Sequence, residues 1–381
     1  MRRTVPFTAA LLVAAVAGCR ETPMQAPAAA GGPLASASAG APIYLVTFRD
    51  GVDVSSAADA LGRGHGFSVR HVRLAAARGF SAAMPAAVAE RLAQDPRVLL
   101  VEKDGPVHLI YPVEQSGPGA SARPGGGGGA GQTTPWGITR VGGAGDGTGK
   151  TAWILDTGVD IGNPDLNTSR ACHTYFAGNS PSDGNGHGTH VAGTIAAINN
   201  GIDVVGVAAN AYVCSVRVLG NSGSGSWEGV INGINYVASH GASGDVANMS
   251  LGGSGTNATL ENAVSSAAQK GIKFVIAAGN SGVNAGTETP GRVNGSNIYT
   301  VSAVDSKDCM PSWSNWGNPP VDFAAPGVSI VSLKRGGGTT TMSGTSMAAP
   351  HVAGVLLLGS ARTNGRACND PDGNPDPIVS R

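Results

Sequence analysis

The sequence predicts an α/β protein in three layers, with a parallel seven-stranded central sheet and helices on both faces. Two observations predict this class. From about residue 150 onwards, short apolar runs alternate with longer helical segments, which is the pattern of parallel strands joined by crossover helices. Ahead of them, a shorter region is set apart by a glycine-rich stretch, so the chain of 381 residues is expected to hold a small α+β domain before the large one.

The charge balance excludes one class of partner. The chain carries 25 Lys and Arg against 25 Asp and Glu, so its net charge is zero and no nucleic acid partner is expected. Only 13% of the residues are charged and 59 are glycine, which is typical of an exported, loop-rich protein rather than a cytosolic one.

Residues 1–18 have the pattern of an export signal. Two arginines follow the first Met, and an apolar run covers 7–17. The end of this run resembles a bacterial lipobox with Cys19 as the lipid acceptor, while ordinary signal cleavage after Ala17 is the alternative. Residues 19–41, rich in Ala, Gly, Ser and Pro, are then expected to be a disordered tether.

Residues 42–112 are predicted to form the small domain. Apolar alternation and helical periodicity give the order β-α-β-β-α-β, which folds as a ferredoxin-like sheet with two helices. Strands are expected over 43–48, 79–84 and 98–102, and helices over 54–61 and 86–92.

Residues 113–131 are predicted to be a linker. This stretch contains a run of five glycines, and a chain of that composition is flexible and open to proteases. A processing site is therefore expected within it.

Residues 132–381 are predicted to form the large domain. Its strands are expected over 153–155, 174–176, 213–219, 246–251, 274–278, 299–303 and 321–324. Its helices are expected over 191–198, 227–239 and 260–270, with a further buried helix that starts at Ser346.

An Asp, a His and a Ser lie at the ends of these predicted elements, and together they are the residue types that acyl transfer by a serine uses. Asp156 ends a buried strand, at the edge where parallel sheets place their sites, His187 precedes a helix and Ser346 begins one. A serine hydroxyl is a weak nucleophile, so an imidazole must accept its proton, and a buried carboxylate must orient the imidazole. We therefore assign Ser346 as nucleophile, His187 as general base and acid, and Asp156 as the orienting group. His190 and His351 are expected to be packing residues, and the other histidines to lie on the surface or in loops.

The motifs around these residues resemble those of the subtilases. They are Asp-Thr-Gly at 156–158, His-Gly-Thr-His at 187–190 and Gly-Thr-Ser-Met-Ala-Ala-Pro at 344–350, in the order Asp, His, Ser. The resemblance covers most of the large domain and implies a serine endopeptidase. It also implies that Asn280 donates to the oxyanion together with the backbone N–H of Ser346.

The same resemblance implies where a polypeptide substrate binds. An extended peptide would add as a strand to the edge formed by 247–253, beside a pocket for one side chain. Because the pocket residues are small, we expect a roomy pocket, closed by 287–291, and a broad, apolar-leaning specificity. The implied substrate-binding residues are Ser250, Leu251 and Gly252 on one side and Ala277, Ala278 and Gly279 on the other.

The small domain resembles the subtilase propeptide in the segments 79–82 and 95–104. The resemblance implies a domain that assists folding, inhibits the active site with its C-terminal tail and is removed autocatalytically. The mature chain would start near 131–132, although the first cut could fall closer to 111–115. If Cys19 carries a lipid, the lipid anchors the propeptide to the cell envelope and maturation releases the enzyme.

One loop resembles the strong calcium site of subtilisins. Ca²⁺ takes carboxylate, amide and carbonyl oxygens, and residues 198–204 interrupt the chain after the His187 helix as such a loop does. A plain surface loop is the alternative, because backbone ligands leave little trace in a sequence. The implied ligands are Gln132, Asp165 and Asn200, with the carbonyls of Ile198, Ile202 and Val204.

The cysteine count fits an oxidising compartment. Of the five cysteines, Cys19 is set aside as the lipid acceptor, which leaves four cysteines and three possible pairings. We favour Cys172 with Cys214, on predicted neighbouring strands, and Cys309 with Cys368, which would tie the tail to the body; free buried thiols are the alternative. The tail stops soon after the last predicted helix, so the final helix and strands usual in the family are expected to be missing.

Two other function classes share this pattern. A catalytically silent binding or inhibitory protein on the same fold would be favoured by the loss of a catalytic residue, and none is lost. An esterase or peptide ligase would use the same three residues, because an acyl-enzyme can pass to other nucleophiles, and only substrate tests separate it. The main prediction is an exported, calcium-stabilised endopeptidase whose mature form is a monomer.

Overall fold

The computed structural model describes residues 40–110 and 131–381. The predicted export signal, the lipid acceptor Cys19 and most of the predicted tether and linker lie outside these ranges. Within them, none of the helices combines the length and the apolar character that a membrane span needs.

Residues 40–110, the N-terminal domain, have the predicted β-α-β-β-α-β order. Its first four strands form one antiparallel sheet in the order β2-β3-β1-β4, which is the ferredoxin-like arrangement. A fifth strand leaves this sheet and pairs elsewhere. The elements are β1 (Ile43–Phe48), α1 (Val54–His65), β2 (Val69–Arg73), β3 (Gly79–Ala83), α2 (Ala86–Leu92), β4 (Val98–Lys103) and β5 (Pro106–Leu109).

Residues 131–381, the large domain, alternate strands and helices as predicted. In chain order the elements are α3 (Trp136–Arg140), β6 (Gly145–Asp146), β7 (Thr151–Asp156), β8 (Thr174–Tyr175), α4 (His187–Ala196), β9 (Ala208–Ala209), β10 (Tyr212–Arg217), β11 (Ser224–Ser226), α5 (Trp227–His240), β12 (Val246–Met249), β13 (Leu251–Ser254), α6 (Ala258–Ala268), β14 (Lys273–Ala277), β15 (Glu288–Thr289), β16 (Ile298–Val304), β17 (Val321–Pro326), β18 (Ile330–Leu333), β19 (Thr339–Met342), α7 (Thr345–Leu358), β20 (Arg362–Arg366) and β21 (Pro377–Ser380).

The central sheet contains all seven predicted strands, in the order β17-β16-β14-β12-β7-β10-β8, and every neighbouring pair among them is parallel. Residues along β7 show how the layers form, because successive side chains in a strand point to opposite faces. Ala152 and Ile154 join the apolar core on the face of α4 and α7. Trp153 and Leu155 join the core on the face of α5 and α6. The three-layer α/β prediction is confirmed.

The sheet is longer than predicted at one end, and the expectation that the tail adds no strand is wrong. β21 lies parallel to β17, with Ile378 opposite Ala324, and β20 pairs with β21 in the antiparallel sense, so the sheet has nine strands. Ile378 and Val379 are fully buried. An apolar run of two residues is too short to predict a strand, and the open edge of β17 supplies the missing partner.

Both favoured disulfides are present. Cys172 bonds to Cys214, and Cys309 bonds to Cys368 across 59 residues of chain. The second disulfide joins the loop after β16 to the tail between β20 and β21, and therefore ties the tail to the body as expected.

Candidate active site

The predicted acid and base form a buried pair. Nδ1 of His187 lies 2.9 Å from both carboxylate oxygens of Asp156, and the two side chains are 1% and 0% exposed. Asp156 is the last residue of β7, and its Oδ1 also accepts a hydrogen bond from the N–H of Thr157 at 2.7 Å. This contact fixes Nδ1 as the nitrogen that faces the acid, so Nε2 is the nitrogen available for proton transfer.

A further carboxylate, which sequence reasoning missed, positions His187. Asp183 is buried, and its Oδ1 accepts the N–H of Gly186 at 2.9 Å, while its Oδ2 accepts the N–H of Thr189 at 3.0 Å. Thr157 Oγ1 donates to the same carboxylate at 2.9 Å, so one side chain joins the start of α4 to the loop after Asp156. Its Oδ1 also accepts the N–H of Asn185 at 2.8 Å, and an Asp that bonds the N–H two residues on is a turn signal that could have revealed it. The helix begins at His187 itself, four residues earlier than predicted.

Ser346 lies in the first turn of α7 and is fully buried. Its Oγ lies 3.0 Å from the carbonyl oxygen of Ile110, to which the hydroxyl donates, and its own carbonyl accepts a hydrogen bond from Ser250 Oγ at 3.1 Å. Nε2 of His187 is buried and has no hydrogen-bond partner among the described residues. The serine hydroxyl is thus directed at a peptide carbonyl and not at the imidazole.

The side chain of Asn280 is held by Thr345, a second residue that sequence reasoning missed. Asn280 Oδ1 accepts the backbone N–H and the hydroxyl of Thr345, both at 2.9 Å. The amide nitrogen therefore faces the chain just before Ser346, and a Cβ at Gly344 would lie 2.8 Å from it. Glycine at 344 leaves room for the amide that the sequence assigned to the oxyanion.

The N-terminal domain ends at the predicted substrate-binding edge. Its strand β5 lies between β11 and β13, antiparallel to both. His108 pairs with Gly252 and Leu109 with Leu251, and Ile110 follows at Ser346. The predicted edge at 250–252 therefore holds an extended peptide in the way expected for a substrate.

The side chain of Ile110 enters the predicted pocket. Its Cδ1 lies 3.8 Å from a Cβ placed on Gly252, and it packs in the same apolar cluster as Ala277. The floor is close, because a Cβ on Gly291 would lie 3.3 Å from the carbonyl of Ala278. Gly279, with φ +116°, adopts a backbone conformation that favours glycine. Of the six predicted substrate-binding residues, Leu251 and Gly252 pair directly with the segment that ends at Ile110.

This arrangement of acid, base, serine and amide accompanies a match over most of the large domain. A family model described as the subtilase family matches residues 147–365, which is more than half of the chain. The chain belongs to the subtilase family.

Individual relatives agree with the family match. The subtilisin-like serine protease AsES of Sarocladium strictum is 40% identical over 318 residues, which cover 82% of this chain and 78% of that protein. Subtilisin Savinase of Lederbergia lenta is 43% identical over 233 residues, which cover 60% of this chain and 84% of that protein. A crystal structure of a cold adapted subtilisin-like serine proteinase is 38% identical with a TM-score of 0.57, covering 64% of this chain and 97% of that one. This subtilase is a serine-type endopeptidase.

The N-terminal domain of this subtilase also caps two helices of the large domain. Glu102 accepts the N–H groups of Ala258 and Thr259, at 3.0 and 2.8 Å, where α6 begins. Asp104 accepts the N–H of Glu228 at 2.9 Å, where α5 begins. Negative charge is favourable at a helix N-terminus, so these contacts bind the two domains together.

Glu228 is a buried charge at the contact between the two domains. Its carboxylate accepts hydrogen bonds from Ser81 Oγ at 2.5 Å and Arg70 Nε at 3.1 Å, and lies 3.0 Å from His71 Nδ1. Burial raises the pKa of Glu228, but the hydrogen bonds from His71, Ser81 and Arg70 outweigh it, and the pKa falls to about 2. The sequence predicts His71 on the surface or in a loop. It lies in β2, where its ring contacts Glu228 of the large domain.

The six predicted calcium ligands lie together. The carbonyl oxygens of Ile198, Ile202 and Val204 are 2.6, 3.2 and 3.0 Å from the amide nitrogen of Gln132. Asn200 Oδ1 lies 3.5 Å from the same nitrogen.

The carboxylate of Asp165 is fully buried, and its Oδ1 has no partner among the described residues. Burial raises the pKa of Asp165 to about 7. This oxygen-rich set with one unpaired carboxylate oxygen suits a hard cation such as Ca²⁺. In the described ranges no group of three or more acidic, histidine or cysteine side chains could hold a metal, so carbonyl and amide oxygens would dominate this site.

The two histidines assigned to packing are fully buried. His190 Nε2 lies 3.0 Å from the carbonyl of Ile330, and burial lowers the pKa of His190 to about 3. His351 Nδ1 lies 2.8 Å from the carbonyl of Met347, and burial lowers the pKa of His351 to about 4. Both are therefore neutral structural residues, as predicted.

Proposed function

We propose that this subtilase is made as a self-processing zymogen and hydrolyses peptide bonds through an acyl-enzyme. Ser346 attacks the peptide carbonyl while Nε2 of His187 accepts its proton and later delivers it to the leaving amine. Asp156 holds the imidazole and stabilises its protonated form. Asn280 and the backbone N–H of Ser346 donate to the oxyanion. The substrates are polypeptides, and the small pocket residues give a broad, apolar-leaning specificity.

One observation carries this proposal: Oγ of Ser346 lies 3.0 Å from the carbonyl oxygen of Ile110. That carbonyl belongs to a peptide held as a strand between β11 and β13. A serine hydroxyl held at a peptide carbonyl supports acyl transfer, and the unpartnered Nε2 of the buried Asp156–His187 pair would serve as its base.

The register of β5 supports a specific first cut. The bond that follows the carbonyl of Ile110 is Ile110–Tyr111, which agrees with the earlier of the two positions left open by the sequence. A second cut near Gly131 or Gln132 would then remove the glycine-rich stretch and leave the mature chain.

The N-terminal domain is proposed to act as chaperone and inhibitor. It fills the cleft with β5 and caps α5 and α6, so its contacts with the large domain favour the folded arrangement and exclude other peptides. We assign residues 42–112 as propeptide, 113–131 as linker and 132–381 as catalytic domain. Residues 1–18 and the tether 19–41 would direct export, with the precursor anchored through Cys19 and the mature monomer released outside the cell.

Ca²⁺ is proposed as a structural ion of this enzyme. Its ligands would be the side chains of Gln132, Asp165 and Asn200 together with three carbonyl oxygens of the 198–204 loop. When bound, it would neutralise the buried carboxylate of Asp165 and hold the start of the mature chain to the loop. The ion would stabilise the fold and take no part in the reaction.

The test is to express the full precursor and its Ser346→Ala variant with calcium present and to follow intact masses over time. We expect the wild type to yield a fragment that ends at Ile110, then a chain that begins near Gln132, and to hydrolyse casein. The variant should stay whole. If both proteins stay whole and a serine-directed fluorophosphonate labels neither, the silent binding protein becomes the better description. Hydrolysis of esters without casein would favour an esterase.

A further inference from the structure

The pocket that holds Ile110 has a carboxylate, Glu288, beside one of its walls. A Cβ added to Gly279, one wall of this pocket, would lie 2.5 Å from Oε2 of Glu288. The other oxygen of this carboxylate, Oε1, accepts a hydrogen bond from Ser281 Oγ at 3.1 Å. Glu288 is half-buried. The charge therefore lies against the pocket wall and is not a freely solvated surface charge.

The backbone around Glu288 is fixed to the strand that holds the substrate. β15 pairs antiparallel with β13, so that Glu288 lies opposite Ser254 and Thr289 opposite Gly253. Thr289 is buried, and its hydroxyl donates to Glu261 at 2.8 Å. Because β13 also pairs with β5, the position of the carboxylate relative to a bound peptide is set by one continuous sheet.

Glu288 forms no salt bridge within residues 40–110 and 131–381. The basic residue of the same loop, Arg292, pairs instead with Glu261, with Nε and Oε1 3.7 Å apart. The side chain that occupies the pocket in the precursor, Ile110, is aliphatic. A half-buried carboxylate without a cation beside it is stabilised when a ligand brings one.

We propose that Glu288 makes the primary pocket select basic side chains, so that the mature enzyme cleaves after Lys and Arg as well as after aliphatic residues. The apolar walls would pack on the methylene stem of such a side chain, and the carboxylate would receive its charged head. The same charge disfavours acidic residues at this position. This inference rests on the proposed function, because it concerns the residue whose carbonyl Ser346 attacks.

Pairs of peptides that differ only in charge test the inference on enzyme that has matured from the full-length precursor. One pair carries Arg or citrulline before the scissile bond and the other carries Lys or norleucine, with Leu and Glu peptides for reference. We expect kcat/KM to be about tenfold higher for each charged member at low salt, as for a partly screened ion pair. The ratio should fall towards one in 1 M NaCl, because salt screens the charge.

The Glu288→Gln variant removes the charge and keeps the shape. We expect its Arg-to-citrulline ratio to be near one and its hydrolysis of the Glu peptide to rise relative to that of the Leu peptide. Asp372→Asn is the matched control, since that carboxylate is exposed and contacts the turn at Asn318 and not the pocket; it should keep the wild-type ratios.

Three results would overturn the inference. Wild-type enzyme that cleaves the Leu peptide but shows ratios near one, or ratios that salt does not change, has no charge selection in the pocket; this result needs no variant. A Glu288→Gln variant that keeps the wild-type ratios places the selection elsewhere. If no peptide is hydrolysed and a fluorophosphonate does not label Ser346, the proposed function itself fails. Because the Leu peptide is then not cleaved either, this outcome is distinguished from the loss of charge selection alone.

Discussion

Replacing Glu228 with Gln is expected to weaken the hold of the N-terminal domain on the active site. The Glu228 side chain is 7% exposed, whereas its partners Arg70 and His71 are 43% and 44% exposed. Gln has nearly the same size, so the substitution removes the charge without opening a cavity. It leaves the donors of Arg70, His71 and Ser81 facing a neutral amide.

The size of the effect follows from the pKa. Binding of the N-terminal domain holds the pKa of Glu228 at about 2, against an ordinary value of 4.5, because the hydrogen bonds outweigh the effect of burial. At 1.36 kcal/mol per unit this corresponds to at most about 3 kcal/mol in favour of the ionised form. Since Arg70 and His71 are partly exposed and screened by water, we expect a loss of about 1–2 kcal/mol, or about 5- to 30-fold faster dissociation.

The assay measures the lag before a peptide substrate is hydrolysed after the processed complex is diluted. A shorter lag for Glu228→Gln is expected. Asp95→Asn is the control, because the pKa of Asp95 is also lowered to about 2, by Arg97 of the same domain. Equal lags for wild type and Glu228→Gln would refute the reasoning, and so would an equally short lag for the control.

The same carboxylate predicts a pH dependence. A carboxyl group whose pKa is lowered in the complex stabilises it fully above the ordinary pKa of 4.5, and the contribution is lost as the pH falls towards about 2. Complexes incubated across this window and then returned to pH 8 should show a difference between wild type and Glu228→Gln that is full at pH 5 and shrinks towards pH 2. A difference that stays constant would exclude ionisation of Glu228 as the cause.

Three further predictions concern the large domain. Asn280→Ala should lower kcat by about 10²–10³ with little change in KM, the loss known for the corresponding amide of subtilisin; an unchanged kcat would remove Asn280 from the oxyanion site. Calcium at 100 times its Kd should add about 2.7 kcal/mol to the free energy of unfolding, and Asp165→Asn should abolish the fall in Tm that a chelator causes. Replacing Cys309 and Cys368 with Ser opens a cross-link spanning 59 residues and should lower the free energy of unfolding by about 2–4 kcal/mol in denaturant titrations, with reducing agent then having less effect.

Much of the fold could be predicted because its signals are local. β7 is an apolar run that is buried on both faces, so it is evident without knowledge of its neighbours. The Asp156–His187 pair could be predicted because the chemistry allows few residue types in that order, and the geometry brings the two side chains together. The tail strand β21 could not, since two apolar residues become a strand only when β17 offers an open edge.

The sequence by itself determined the α/β layers, and it predicted an acid, a base, a nucleophile and the residues of a substrate pocket. Only the tertiary structure decided what lies against them. It brings the carbonyl of Ile110 to Ser346, which is 236 residues away in the sequence. It also places Glu228 against Ser81, which is 147 residues away, and Glu288 against Gly279. The physical reason is that hydrogen bonds and charges act over a few ångströms of space, and sequence spacing reports such distances only within a single helix, strand or turn.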